Sequence, residues 1–125
     1  MDESVRGRAA AVADRLLGKL DGARAVVVAT EDGFELGCAT RSALESARLA
    51  AIMSSLSAIG EVMAAEAGIG RVRCLMLEGE SGYIVVRGGG RIGVVGVVVA
   101  ALVTREALLG LAMHAVAETV RELAE

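Results

Sequence analysis

"YIVVRGGGRIGVVGVVVAALV", residues 83–103, decides the fold, because the GGGRIG within it (88–93) can be read in two ways. It fits the G-x-G-x-x-G pattern that holds a dinucleotide pyrophosphate, and it is also a run of glycines that lets a chain turn. A phosphate loop needs a helix to start directly after the glycines, so that its orphan N–H groups and its dipole face the anion. Here VVGVVVAALV (94–103) follows instead, and no acidic residue sits about 20 positions on to hold a ribose. Thr104 is the first residue placed to cap a helix. The glycines therefore read as a hairpin connection with a bulge at Gly93 or Gly96, and 94–103, almost purely apolar, reads as a central strand.

Working outward, YIVVR (83–87) is the strand before the glycines, and ESG (80–82) is a turn. RVRCLMLEG (71–79) alternates in part, with Arg71 and Arg73 on one side and Val72, Cys74 and Met76 on the other. Charges at its start suit an edge strand, which arginine guards against indiscriminate pairing. After Thr104, Leu109, Met113, Val116, Val120 and Leu123 share one face of a last helix. At the other end, Val5, Ala9, Val12, Leu16 and Leu20 recur at helical spacing, with Asp2, Glu3 and Ser4 at the start. ARAVVVAT (23–30) follows as a buried strand, EDG (31–33) as a turn, and FELGCAT (34–40) as the returning strand.

Between them, residues 42–67 form a long helix with two stripes. Leu44, Leu49, Ile52, Met53, Leu56, Ile59, Val62 and Met63 make one side, the expected core face. The opposite side carries Ala43, Ala47, Ala50, Ser54, Ser57, Ala58, Glu61 and Ala65. A solvated face normally carries Lys, Glu and Gln, so the small residues have two readings. Either alanine was chosen for helix propensity, or a second helix packs closely there. The element order is helix, strand, strand, helix, three strands, helix.

The composition limits the function. The chain has 125 residues, one domain's worth (1–125), with 54% apolar residues and a mean hydropathy of +0.58. Phe34 and Tyr83 are its only aromatic residues, so Val, Leu, Ile, Ala and Met must build the core. So much apolar residue on a short chain leads us to expect that another subunit covers part of it. The longest uncharged run, Ile92–Thr104, is 13 residues, short of the roughly 20 that span a bilayer. The charged start, MDESVRGRAA, does not resemble a signal peptide, and two cysteines without a cysteine-rich pattern suggest reduced thiols in a cytoplasm. Net charge is −3, with the 13 basic residues spread along the chain and no aromatic platform, which argues against nucleic acid.

Catalytic chemistry is not apparent. His114, the one histidine, lies one helical turn from Glu118 and reads as a solvated surface group. Cys38 and Cys74 lie in strand patterns as small packing residues, and no Cys/His/carboxylate set has metal-ligand spacing. No cofactor is expected, and a binding module is favoured over an enzyme. An enzyme built on Cys74 and His114 ranks last.

Three stretches, ARAVVVATEDGFELG (23–37), ALESARLAAIMSSLSAIGEVMA (43–64) and the segment from SGYIVV (81–86) to the Leu-Gly-Leu at 109–111, resemble the roadblock / dynein light chain family. The resemblance covers about residues 1–123. Its link from the last strand to the last helix is shorter than in many members. It implies an α+β, profilin-like fold, in which a five-stranded antiparallel sheet has the long helix on one face and the two terminal helices on the other. It further implies a homodimer with paired third strands and adjacent middle helices, and partners that are Ras-like small GTPases or regulatory complexes. A structural assembly subunit and a small-ligand sensor are the alternatives. From helix phase, Arg41, Glu45, Arg48 and Glu61 are expected to touch the partner, with Arg41 or Arg48 as a conceivable arginine finger. Ala47, Ala50, Ser54, Ser57, Ala58, Arg71, Arg73 and Cys74 are expected at the dimer interface.

Overall fold

The computed structural model describes residues 3–124, so Asp2, expected to help cap the first helix, lies outside the described residues. The elements run α1 (Glu3–Lys19), β1 (Ala23–Thr30), β2 (Glu35–Thr40), α2 (Ser46–Ala67), β3 (Leu75–Glu78), β4 (Gly82–Ile92), β5 (Val95–Thr104) and α3 (Leu109–Ala124). The strands form one antiparallel sheet in the order β2-β1-β5-β4-β3, which puts the apolar β5 at its centre as its composition requires.

Alternation along the central strands divides two cores. Val26 and Val28 of β1, with Val97 and Val99 of β5, face α1 and α3. Val27 and Ala29, with Val98 and Ala100, face α2. Because strand side chains alternate, VVVA and VVVAA serve both layers, and each fully buried valine contributes roughly 1.5–3 kcal/mol. Ala9, Val12, Ala13 and Leu16 of α1 close the first core together with Ala112, Val116, Val120 and Leu123 of α3. Met113, expected on the inner face of α3, is turned outward, and Ala112 takes the inward place.

The glycine run connects strand to strand, but it is not the turn itself. β4 continues through Ile92, and the hairpin turns on Gly93 and Val94. Gly93 has φ 64°, the positive value a tight two-residue hairpin needs at its first central position. The bulge lies earlier than Gly93 or Gly96. Pairing runs to Arg87↔Val99 and resumes at Gly90↔Val97, so β4 spends one more residue there than β5. Gly89 takes φ 91° in that bulge, and a side chain at Gly90 would meet Val97 at 2.9 Å.

Other boundaries also move. Thr104 ends β5 instead of capping α3, because its N–H donates to the Gly22 carbonyl at 2.9 Å and it stays extended opposite Gly82. α2 begins at Ser46, after Glu45, and ends on Gly68 in the left-handed region, whose N–H closes on the last turn. β3 is only Leu75–Glu78, so Arg71, Arg73 and Cys74 form the lead into it.

A candidate docking face on the long helix

α2 packs on the sheet with its small residues inward. Ala50, Met53, Ser54, Gly60 and Ala64 are its buried positions. Ser54 donates its hydroxyl to the Thr30 carbonyl at 2.8 Å, which removes the cost of burying it. Gly60 lies against Leu75, where a Cβ would stand 3.0 Å from a leucine methyl. Ala51 presents its Cα to Gly33 of the β1–β2 turn, 3.3 Å from where a side chain there would begin. The small stripe therefore does allow close backbone approach, but the backbone it meets belongs to this chain's own sheet.

The helix is rotated from the expected orientation, not reversed: Leu44, Leu49 and Met53 of the expected core side do pack toward the sheet, while Ala43, Ala47, Ala58 and Ala65 of the small side stay exposed. Ile52, Ile59 and Met63 were assigned to the core face, yet they are 56%, 61% and 63% exposed, and Leu56 and Val62 stand beside them. Their spacing of i, i+4, i+7 and i+11 (52, 56, 59, 63) makes a continuous apolar ridge along the outer side of α2. By length and composition alone, α2 is also the one described helix that could cross a bilayer. In this fold its inner side rests on the sheet, and the ridge is left without cover. On the edge strand β3, exposed Leu77 shares the α2 face of the sheet with Leu75, whereas exposed Met76, opposite Val85, lies on the α1/α3 face. Arg105 holds that edge in place, with a 2.9 Å ion pair to Glu78 and a 3.1 Å hydrogen bond to the Gly79 carbonyl.

The expected site residues separate into groups. Ala50 and Ser54 are buried beneath α2 and are withdrawn from any contact with a second helix. Ser57 is half-buried over the bulge, whereas Ala47 and Ala58 are exposed. Arg41 precedes the helix and is tied elsewhere. Its guanidinium donates to the carbonyls of Ala23 and Leu17, the latter at 3.2 Å, capping the last turn of α1. It is thus a structural clamp and cannot serve as an arginine finger without breaking those bonds. Glu45 and Arg48 pair at 3.4 Å on the exposed first turn of α2. Glu61 accepts the Val72 N–H at 3.0 Å and lies 4.0 Å from Arg71, so it fixes the chain entering β3. Arg73 is exposed, and Cys74 is half-buried against the α1/α3 core. What the sequence reading missed is the ridge itself. The available signal was that neither stripe of α2 carries the charges of a solvated face.

Groups that could support catalysis stay apart or inert. Burial pushes the thiols of Cys38 and Cys74 above their ordinary value, against the activation a nucleophile requires. Cys38 packs on the α2 side of the sheet and Cys74 on the other. His114 Nε2 bonds Glu118 at 2.6 Å on the exposed side of α3. Among the described residues no cluster of three or more His, Cys, Asp or Glu side chains could hold a metal.

Known structures share this architecture. Myxococcus xanthus MglB superposes with a TM-score of 0.83 at 21% identity, covering 99% of this chain and 90% of that one. A Roadblock/LC7 domain from Streptomyces avermitilis matches at 0.78 and 21% identity, covering 89% and 90%. A profilin, LokiProfilin1 in complex with rabbit actin, matches more distantly at 0.52 and 16% identity, covering 99% and 96%, and ties the fold to the profilin architecture. No curated protein matches the chain by sequence. Residues 10–100 match the Roadblock/LC7 domain as a family, and with its sheet order and three-helix arrangement the chain belongs to that family.

Proposed function

We propose that this chain is a homodimeric, non-enzymatic docking module for a Ras-like small GTPase. The observation that carries the reading is the uncovered ridge Ile52–Leu56–Ile59–Met63 on α2, with exposed Leu77 of the edge strand β3 on the same face of the sheet. Contiguous apolar surface of this kind marks an interaction site in a soluble protein. A second copy related by a two-fold axis would cover ridge with ridge and let the two β3 edges pair, supplying the missing backbone partners. Ala47, Glu45, Arg48 and Ala58 would then flank the paired helices, with Glu61 and Arg71 beside them and Arg73 and Cys74 at the strand junction.

The GTPase enters through the family resemblance, and two features support it. The glycine run, the one stretch with a phosphate-loop pattern among the described residues, lies inside a hairpin and offers no helix N-terminus to a phosphate. Its charged groups around α2 pair with one another, as in Glu45–Arg48, and suit recognition of a surface more than catalysis. The test has two parts. Sedimentation equilibrium should give a dimer at micromolar concentration, and Ile59→Glu should give a folded monomer. GTP turnover by a small GTPase encoded in the same genome should change when the wild-type dimer is added and not when Ile59→Glu is added. Tight binding with unchanged turnover would replace the regulator with a structural assembly subunit, and a wild-type monomer would overturn the reading.

A further inference from the structure

The α1/α3 layer carries a second uncovered surface, remote from the α2 ridge. Where α1 runs into β1 and β5 runs into α3, a groove of about 560 Å³ opens between the two helix ends. Leu20, Ala107 and Ala115 line it, and Leu108 and Leu111 stand at its lip, 69% and 59% exposed. The charged residues that line it are Lys19, Asp21, Glu106 and Glu118, three carboxylates against one ammonium, with His114 beside Glu118.

We infer that this groove docks a cationic amphipathic helix of another protein. Three observations choose that occupant. First, the neighbouring strands β1 and β5 are each paired on both sides, so no free edge is available for an added strand. Recognition must go through side chains, and an apolar groove of this kind suits the anchor residues of a helix. Second, the excess of carboxylates favours lysine or arginine beside those anchors. Third, a second copy of this chain is a poor fit. Its own uncovered ridge lies on α2, which carries Arg48 as its only base against Glu61 and Glu66. The site is independent of the dimer and the GTPase. A partner held here leaves the α2 ridge free, so one protomer could join two proteins.

The probe is a fluorescently labelled 14-residue Leu/Lys peptide with leucines at i, i+4, i+7 and i+11, titrated against the full chain beside a Leu/Glu analogue. The Leu/Lys peptide should bind saturably, and the analogue at least tenfold more weakly. Leu111→Lys should weaken the Leu/Lys peptide tenfold or more, while Ile59→Glu on the α2 ridge should leave it unchanged. Should Leu111→Lys compromise folding by circular dichroism, the double substitution Glu106→Gln with Glu118→Gln decides instead, with a several-fold loss expected. Equal binding of both peptides, loss of binding with Ile59→Glu alone, or no saturation at millimolar peptide would each overturn the inference.

Discussion

A methyl group at position 37 has no space to enter. The Cβ of any residue there would lie 2.7 Å from Ala10 N and Ala9 C, both backbone atoms of α1. Backbone cannot swing aside as a side chain can, so Gly37 sets how closely α1 settles on β2. Gly37→Ala should therefore destabilise the protein by about 1–3 kcal/mol, the usual cost of forcing extra volume into a packed site. Gly18 lies in α1 with open space around its Cα. Gly18→Ala should stabilise by roughly 0.4–1 kcal/mol, by restricting the unfolded chain and improving helix propensity. Urea midpoints of the two variants against wild type check the pair, and equal shifts would refute the packing argument. Nothing in ELGCAT distinguishes Gly37 from Gly18, because close approach belongs to the packed pair of elements. Arg41 was equally hidden. Helix phase assigns it to α2, and only the folded chain brings it to the carbonyls of Leu17 and Ala23.

At the scale of elements, strands were more legible than the orientation of α2. Val-rich runs such as VVVAA have one low-energy use, a strand covered on both sides, and β1 and β5 fall where that logic sets them. The long helix had two apolar stripes, and periodicity alone cannot tell which one meets the sheet. Distance decides it. The α2 side of the sheet is already filled by Val27, Val98 and Val86, so Ala50, Ser54 and Gly60 fit beneath the helix where a row of isoleucines would hold it off. The same argument yields a contrast that checks it. Ala50→Leu should destabilise by about 1–3 kcal/mol by lifting α2 from the sheet. Ile52→Ser, on the ridge, should change the stability of the isolated protomer by no more than about 0.5 kcal/mol. Denaturant unfolding at concentrations where the protein is monomeric measures both, and the reverse order would restore the original orientation. The glycine run shows a similar limit. Its refusal of a phosphate role was readable from the strand that follows, whereas the bulge before Gly90 depends on Val97 and on the nearby Val120 and Leu123.

For the whole molecule, the proposed dimer, in which a second copy covers the apolar ridge, would couple folding to association. Two unfolded chains form from one native dimer, so the native state gains on concentration by mass action. Each tenfold rise in protein adds roughly 1.4 kcal/mol to a dimer of this size, which corresponds to a Tm higher by roughly 3–5 °C. A monomer has no such dependence. The wild-type protein should thus melt at rising temperature across two decades of concentration, while Ile59→Glu, which sets a charge in the middle of the ridge, should melt at one temperature throughout. Calorimetry at about 5, 50 and 500 µM separates the cases, provided the transitions are reversible. A flat wild-type series would mean that the ridge stays open to solvent, and then the docking of a GTPase would have to be explained on a single sheet with a single α2. A rising series abolished by Ile59→Glu but kept by Leu111→Lys would assign association to the α2 layer and leave the α1/α3 groove for a different protein.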